Sequence, residues 1–183
     1  QYSSPFSMLS TAHEVMTVPI DAMVGSDGTS QQSLNIRLDG LSGLCSTLTF
    51  YICDAAGTNM FEPLATDSYS LSANGKELVS PVSAAVSILD TLDAFDTSTV
   101  GGQSEDGNGN INLMTFSLAP KARGSAMGGI PFRMLNDPRL QIQTSARTNT
   151  ARTLYIVSEI RSLYSVDTAG GHGRCRIRRN DDA

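Results

Sequence analysis

Residues 33–53 read SLNIRLDGLSGLCSTLTFYIC, and the order of apolar and polar residues in this stretch decides the fold class. In residues 33–39, leucine or isoleucine occupies every second position, which is the period of a β-strand with one solvated face. Residues 46–53 repeat the pattern with apolar side chains at positions 48, 50 and 52. We therefore predict two strands, each with one face turned toward a hydrophobic core.

The same signals continue on both sides of this pair of strands. Further strands are predicted at residues 12–20, 67–79, 111–118, 139–145 and 152–166. The dipeptide Asn74-Gly75 interrupts residues 67–79, and it is the strongest local signal for a tight hairpin turn. Asn136 is expected to satisfy backbone groups in a second turn. Pro138 should extend Asp137 and lie just before the next strand.

One segment has a helical period instead. The start is predicted at Pro81, with Ser80 as the N-cap. The apolar stripe consists of Val82, Val86, Leu89, Leu92 and Phe95. This spacing predicts a helix over 81–95 that packs onto a sheet.

Together these elements predict an all-β sandwich or barrel with one helix near residues 81–95, and the family resemblance of five of its segments implies a single eight-stranded antiparallel jelly-roll sandwich. We expect two four-stranded sheets in which the first and last strands are close neighbours. Residues 12–167 are assigned to the barrel, residues 1–11 to an N-terminal arm and residues 168–183 to a C-terminal arm rich in glycine and arginine. The arms are expected to acquire order by docking on neighbouring subunits.

Five segments, in this order, resemble the second barrel of the double-jelly-roll major capsid proteins. That lineage includes adenovirus hexon, the large DNA viruses and the tailless phages that contain a membrane. The segments are LNIRLDGLSG–LCSTLTFYI (34–52), LSANGKEL (71–78), INLMTFSLAP (111–120), GGIPFRMLNDPRLQI (128–142) and RTLYIVSEIRSLYSVDTAGG (152–171). Two features depart from the family: 183 residues are too few for two barrels, and Phe132-Arg133 replaces the usual Phe-Ser pair.

The resemblance implies a single-jelly-roll capsid protein that self-assembles into the icosahedral shell of a DNA virus or phage, including one with an internal membrane. It implies location in the virion after synthesis in the host cytoplasm. The implied partners are other copies of the chain and a second capsid protein. Two alternatives remain within this family: the chain is a vertex protein, or it is half of a longer product.

Charge is distributed unevenly along the chain. The net charge is −5, yet residues 101–183 hold eleven of the thirteen arginines and lysines. Four lie within six residues, at Arg174, Arg176, Arg178 and Arg179. Since arginine forms paired hydrogen bonds with phosphate, we predict that this tail faces the capsid interior and contacts nucleic acid or the inner membrane. A solvated tail, or pairing with acids of a neighbouring subunit, is the alternative.

The residues expected of an enzyme or a metal protein are missing from the pattern. His13 and His172 are the only two histidines, and Cys45, Cys53 and Cys175 lack metal-ligand spacing. We predict no catalytic residue, cofactor or structural metal, although a weak cation site at Asp90, Asp93 and Asp96 stays open. The alternative function is a β-sandwich spike that binds a receptor or carbohydrate. The absence of tryptophan disfavours it, because sugars usually stack on exposed aromatic rings.

Overall fold

The computed structural model describes residues 6–22, 32–55, 66–83, 111–117, 128–144, 150–167 and 176–179. These residues form ten strands and one short 3-10 turn. The elements are β1 (Phe6–Ile20), β2 (Gln32–Arg37), β3 (Leu44–Asp54), β4 (Thr66–Ala73), β5 (Lys76–Ser83), β6 (Asn112–Thr115), β7 (Ile130–Pro131), the 3-10 turn (Phe132–Met134), β8 (Arg139–Thr144), β9 (Arg152–Asp167) and β10 (Arg176–Arg179).

The strands form two antiparallel sheets. The first sheet has the order β1-β9-β3-β6, with β10 beside β9 and β7 beside β3, and the second has the order β2-β8-β4-β5. If the eight principal strands are lettered B to I along the chain, the sheets read B-I-D-G and C-H-E-F, which is the strand order of a jelly roll. The predicted fold class is therefore confirmed, although the first sheet has six strands and not the four expected, because β7 and β10 join it. The predicted pairing of the first and last strands is also confirmed, from Phe6 opposite Val166 to Ile20 opposite Arg152.

The core lies between the sheets and is built from the alternating residues that the sequence marks. Phe50 of β3 and Leu140 of β8 are completely buried. Phe50 meets Tyr69 of β4 edge to face, with ring centroids 5.0 Å apart, so this pair joins the two sheets. Such a pair contributes about 0.5–1.5 kcal/mol beyond the burial of its area. The hydroxyl of Tyr69 donates to the carbonyl of Leu113 at 2.9 Å, which satisfies its polar end inside the core.

The hairpin predicted at Asn74-Gly75 joins β4 to β5. Both residues have positive φ, 55° and 69°, and Ala73 is opposite Lys76 across the turn. Two consecutive positive φ values are characteristic of a type I′ turn, whose twist matches that of the strands it joins. Asparagine and glycine adopt this conformation at low cost, so the local sequence specifies the turn.

The predicted start of the helix is wrong. Residues 80–83, including Ser80 and Pro81, belong to β5, an edge strand of the second sheet. Leu71 is opposite Val79 and Tyr69 is opposite Val82, so β5 has one extra residue between these pairs. This bulge lets Val79 and Val82 both pack on the core at a spacing of three, which imitates a helix. The rest of the predicted helix, residues 84–95, lies outside the described residues.

The turn before β8 also differs from the prediction. Asp137 is not extended but has a φ of 51°, a left-handed conformation that aspartate tolerates better than most residues. Two arginines hold its carboxylate in place in this turn: Arg139 Nε lies 2.7 Å from Oδ2, and Arg37 Nε lies 3.2 Å from Oδ1. Pro138 precedes β8 as expected.

The two segments assigned to arms each contain paired strand residues. β1 begins at Phe6, and its first residues pair with the end of β9. β10 pairs with Tyr164–Asp167 of the same strand. The barrel sheet thus extends into residues 6–11 and 176–179. The role of the two segments as docking arms stays a prediction.

Candidate functional site

The outward face of the first sheet carries an uncharged patch on its three longest strands. Three consecutive rows run across β1, β9 and β3, and register places their members side by side. The rows are Val15–Val157–Thr49, Thr17–Tyr155–Tyr51 and Pro19–Thr153–Cys53. We call these nine residues the tyrosine face.

The centre of the tyrosine face is a pair of stacked rings. The rings of Tyr51 and Tyr155 are nearly parallel, at 7°, with centroids 5.3 Å apart. Burial raises the pKa of the Tyr51 phenol, and the neighbouring Cys53 and Tyr155 act in the same direction, so its hydroxyl stays neutral. Val15 lies on the edge strand β1 and is 62% exposed. Apart from Cys53, which is fully buried, the face therefore presents apolar and neutral groups to solvent.

The outward face of the second sheet has a different chemistry. Its rows are Ser33–Gln143–Ser68, Asn35–Gln141–Ser70 and Arg37–Arg139–Ser72. Ser68, Ser70, Gln141 and Gln143 line a groove of about 120 Å³ together with Pro81. The Ser70 hydroxyl donates to Gln141 Oε1 at 3.5 Å. This face is hydrophilic, as expected of a sheet face in contact with water.

A cluster of charges lies where the 132–138 turn meets β2. Asp137 bridges Arg139 and Arg37, and Arg37 also pairs with Asp39 at 3.1 Å. The hydrogen bond from Arg139 lowers the pKa of the Asp137 carboxyl, and the positive charges of Arg139 and Arg37 add to the effect. All four side chains are partly exposed, so the cluster organises turns and adds little to stability.

Glu14 of β1 fixes the loop between β2 and β3. Its carboxylate accepts hydrogen bonds from the Ser42 N–H at 2.9 Å and the Ser42 hydroxyl at 2.7 Å, and from the Gly43 N–H at 3.4 Å. Gly43 itself packs against Ile160, whose Cγ2 would lie 2.6 Å from an added Cβ. The loop is thus tied to both strands β1 and β9.

The thiols of the described cysteines are buried. These are Cys45 and Cys53, whereas Cys175 lies outside the described residues. Burial raises the pKa of Cys45 to about 12, so the thiolate needed for nucleophilic attack does not form near neutral pH. His13 is exposed on β1.

Within the described part of the chain, no group of three or more His, Cys, Asp or Glu residues is arranged to hold a metal ion. The candidate cation site at Asp90, Asp93 and Asp96 lies outside it. No helix in the described ranges has the length and apolar character needed to cross a membrane.

The arginines singled out in the sequence are only partly placed. Arg174 lies outside the described residues. In β10, Arg176, Arg178 and Arg179 are opposite Asp167, Ser165 and Tyr164 of β9, so the strand aligns them beside the end of the barrel. The sequence pattern does not single out the tyrosine face, because Tyr51 and Tyr155 lie inside predicted strands. The signal was available, since Phe50 and Ile52 face the core and Tyr51 must face outward.

Known proteins resemble the chain in structure only. No family model and no curated protein matches the sequence. A quasi-atomic model of the PBCV-1 virus capsid matches with a TM-score of 0.63 and 14% identity over 96% of this chain. PBCV-1 VP54, fitted into a reconstruction of the virophage Sputnik, matches with a TM-score of 0.62 and 15% identity over 95%. The Sputnik virophage structure itself matches with a TM-score of 0.51 and 13% identity over 97%.

The capsid proteins that this chain resembles are longer than the chain itself. The matched part covers 52% of the PBCV-1 capsid chain, 51% of VP54 and 39% of the Sputnik chain. The chain thus spans about half the length of the first two structures that it resembles. At these identities the likeness establishes the shared jelly-roll fold.

Proposed function

We propose that this chain is a structural capsid protein whose barrels assemble into the shell of a DNA virus or phage. The observation that carries the proposal is the B-I-D-G and C-H-E-F strand order, which overlaps PBCV-1 capsid structures over almost the whole chain. Fold alone does not fix function, so the chemistry of the surface must agree with it. A neutral outward face, buried thiols and a low share of charged residues, 17%, suit a subunit that contacts other subunits.

The chain supplies one barrel where the PBCV-1 chains are about twice as long. In our proposal, each position in a capsomer is occupied by one barrel, which comes either from a copy of this chain or from a second capsid protein. The finished protein resides in the virion after synthesis in the host cytoplasm. The chain acts by assembly and carries out no catalysis.

The C-terminal arginines are the proposed contact with the capsid interior. Three of them lie in β10 beside the end of β9, so their positive charges are concentrated within one short strand. Phosphate is supplied either by packaged nucleic acid or by the head groups of an inner membrane. This contact would bind the shell to its contents.

The alternative, a carbohydrate-binding spike, fits the described surface less well. Sugars stack on the open face of an aromatic ring, whereas Tyr51 and Tyr155 use one face each to stack on one another. The serine- and glutamine-lined groove has hydrogen-bonding groups but no aromatic ring except the buried Tyr69. This chemistry favours the capsid proposal.

Light scattering coupled to size-exclusion chromatography, followed by electron microscopy, tests the proposal. The purified chain is expected to form trimers, pentamers or larger shells, with the larger species favoured as concentration rises. A chain that stays monomeric at all accessible concentrations contradicts the proposal. So does a chain that converts a substrate catalytically with saturable kinetics.

A further inference from the structure

We infer that the tyrosine face is the surface through which one barrel contacts a second copy of this chain. The inference rests on the proposed function and adds to it the particular sheet face that forms the contact. It follows from a comparison of the two outward faces, from the charge of the chain and from the size of the face.

The two outward faces occupy equivalent positions in the sandwich but differ in kind. The second sheet presents serine, asparagine, glutamine and arginine, groups that water solvates well. The first sheet presents Val15, Val157 and the stacked tyrosines in the same position relative to the core. Burial of valine and tyrosine is favourable, and tyrosine is enriched where proteins meet. The first sheet is therefore the face that gains from being covered.

Charge favours a second copy as the partner. The chain has a net charge of −5, so two copies meet most easily across a surface with few acidic groups. None of the nine residues of the tyrosine face is charged, and the neighbouring row His13–Glu159–Thr47 brings a single carboxylate to its border. A strongly basic or acidic partner finds no counter-charge there, whereas the same face on another copy is matched in both polarity and charge.

Size sets the strength of the contact. Three strands about 4.8 Å apart and three rows about 6.7 Å apart give a face of roughly 14 by 20 Å, or about 300 Å². A stable interface buries about 800 Å² on each partner, so the tyrosine face forms the dry centre of a contact and not all of it. A pair of barrels should associate weakly, while many copies in a shell hold one another through repeated contacts.

Val15→Lys tests the inference and Ser33→Lys is its matched control. Both side chains are exposed, both point outward, and both lie on edge strands, where lysine is well tolerated. Sedimentation velocity over a range of concentrations measures the dissociation constant of each protein. Circular dichroism and thermal melts verify that both variants fold. We expect V15K to weaken self-association at least tenfold and S33K to change it less than twofold.

The outcomes separate this inference from the proposed function. If the wild-type chain associates and V15K associates equally well, or if S33K is impaired as much as V15K, the tyrosine face is not the contact and the capsid role stands. If the wild-type chain never associates, both the inference and the capsid role are overturned.

Discussion

Asn74 and Asn136, which are 62 residues apart in the sequence, are joined by two hydrogen bonds. The N–H of Asn136 donates to the Asn74 side-chain oxygen at 2.7 Å, and the N–H of Asn74 donates to the Asn136 carbonyl at 2.7 Å. The roles are the reverse of those expected, because the side chain of Asn74, not that of Asn136, satisfies the backbone. The hairpin and the 132–138 turn are thereby fastened together.

Asn74→Gly should lower the free energy of unfolding by about 0.5–1.5 kcal/mol, since it removes one hydrogen bond and keeps the positive φ. Asn136→Ala is the matched control, because only the backbone of Asn136 takes part in the pair. Urea unfolding monitored by tyrosine fluorescence measures both variants. An equal loss in the two proteins would show that the side chain of Asn74 is not the fastening group.

Gly43→Ala should destabilise the fold by about 1–3 kcal/mol, the range for overpacking a closely packed site. An added Cβ would lie 2.6 Å from Ile160 Cγ2 and 2.9 Å from Ile160 Cβ, and a Cβ cannot move without the strand. Gly40→Ala, in the same loop, meets the flexible Met16 side chain at 3.2 Å and should change stability by less than about 1 kcal/mol. Thermal melts of the two variants compare these effects directly, and similar melting temperatures would refute the argument.

Asp137→Asn should remove a pH-dependent contribution to stability. The folded pKa of Asp137 lies below its ordinary value of 3.8, so the ion pairs stabilise the fold above that pH. The contribution is lost as the pH falls through the lowered folded pKa, because the protonated carboxyl no longer attracts Arg139 and Arg37. The difference between wild type and D137N should therefore shrink in acid and in high salt. A difference that stays constant from neutral pH to pH 2 would contradict this assignment.

Replacing Arg174, Arg176, Arg178 and Arg179 with glutamine should abolish salt-dependent binding to phosphate surfaces. With about four contacts, the logarithm of wild-type affinity for duplex DNA should fall with the logarithm of salt at a slope of about −3.6. Anionic lipid vesicles form the second arm and distinguish head groups from nucleic acid. Normal shells that retain genome or membrane equally in both proteins would reject the interior role. Loss of assembly without any phosphate binding would favour pairing with acids of a neighbouring subunit.

The strands could be predicted from local patterns because each strand turns one face toward the core. This sets the alternation of apolar and polar residues along it. Leu34, Ile36, Leu140 and Ile142 all face inward as expected. The hairpin at Asn74-Gly75 could also be predicted, because its conformation depends on those two residues alone. The strand order does not follow from any local pattern; it was expected only through the resemblance of five segments taken together.

The errors arose where distant residues determine a local conformation. The end of β5 depends on its register with β4, because residues 80–83, with Ser80 before Pro81, have the local pattern of a helix start. Asp137, which has a left-handed φ, is paired with Arg37, 100 residues away in the sequence. The tyrosine face likewise forms only when β9 lies between β1 and β3, so its rings, 104 positions apart, become neighbours through the fold.

The position of β9 and β8 in the middle of their sheets controls when the barrel can form during synthesis. β1 and β3 do not pair with one another but each with β9, and β2 and β4 each pair with β8. Both central strands follow Pro138 in the chain, so neither sheet can close until the ribosome has made the C-terminal part of the barrel. Such non-local pairing folds slowly, in milliseconds to seconds. A polypeptide interrupted before β8 therefore has no completed sheet, and only chains translated through β9 can present the tyrosine face.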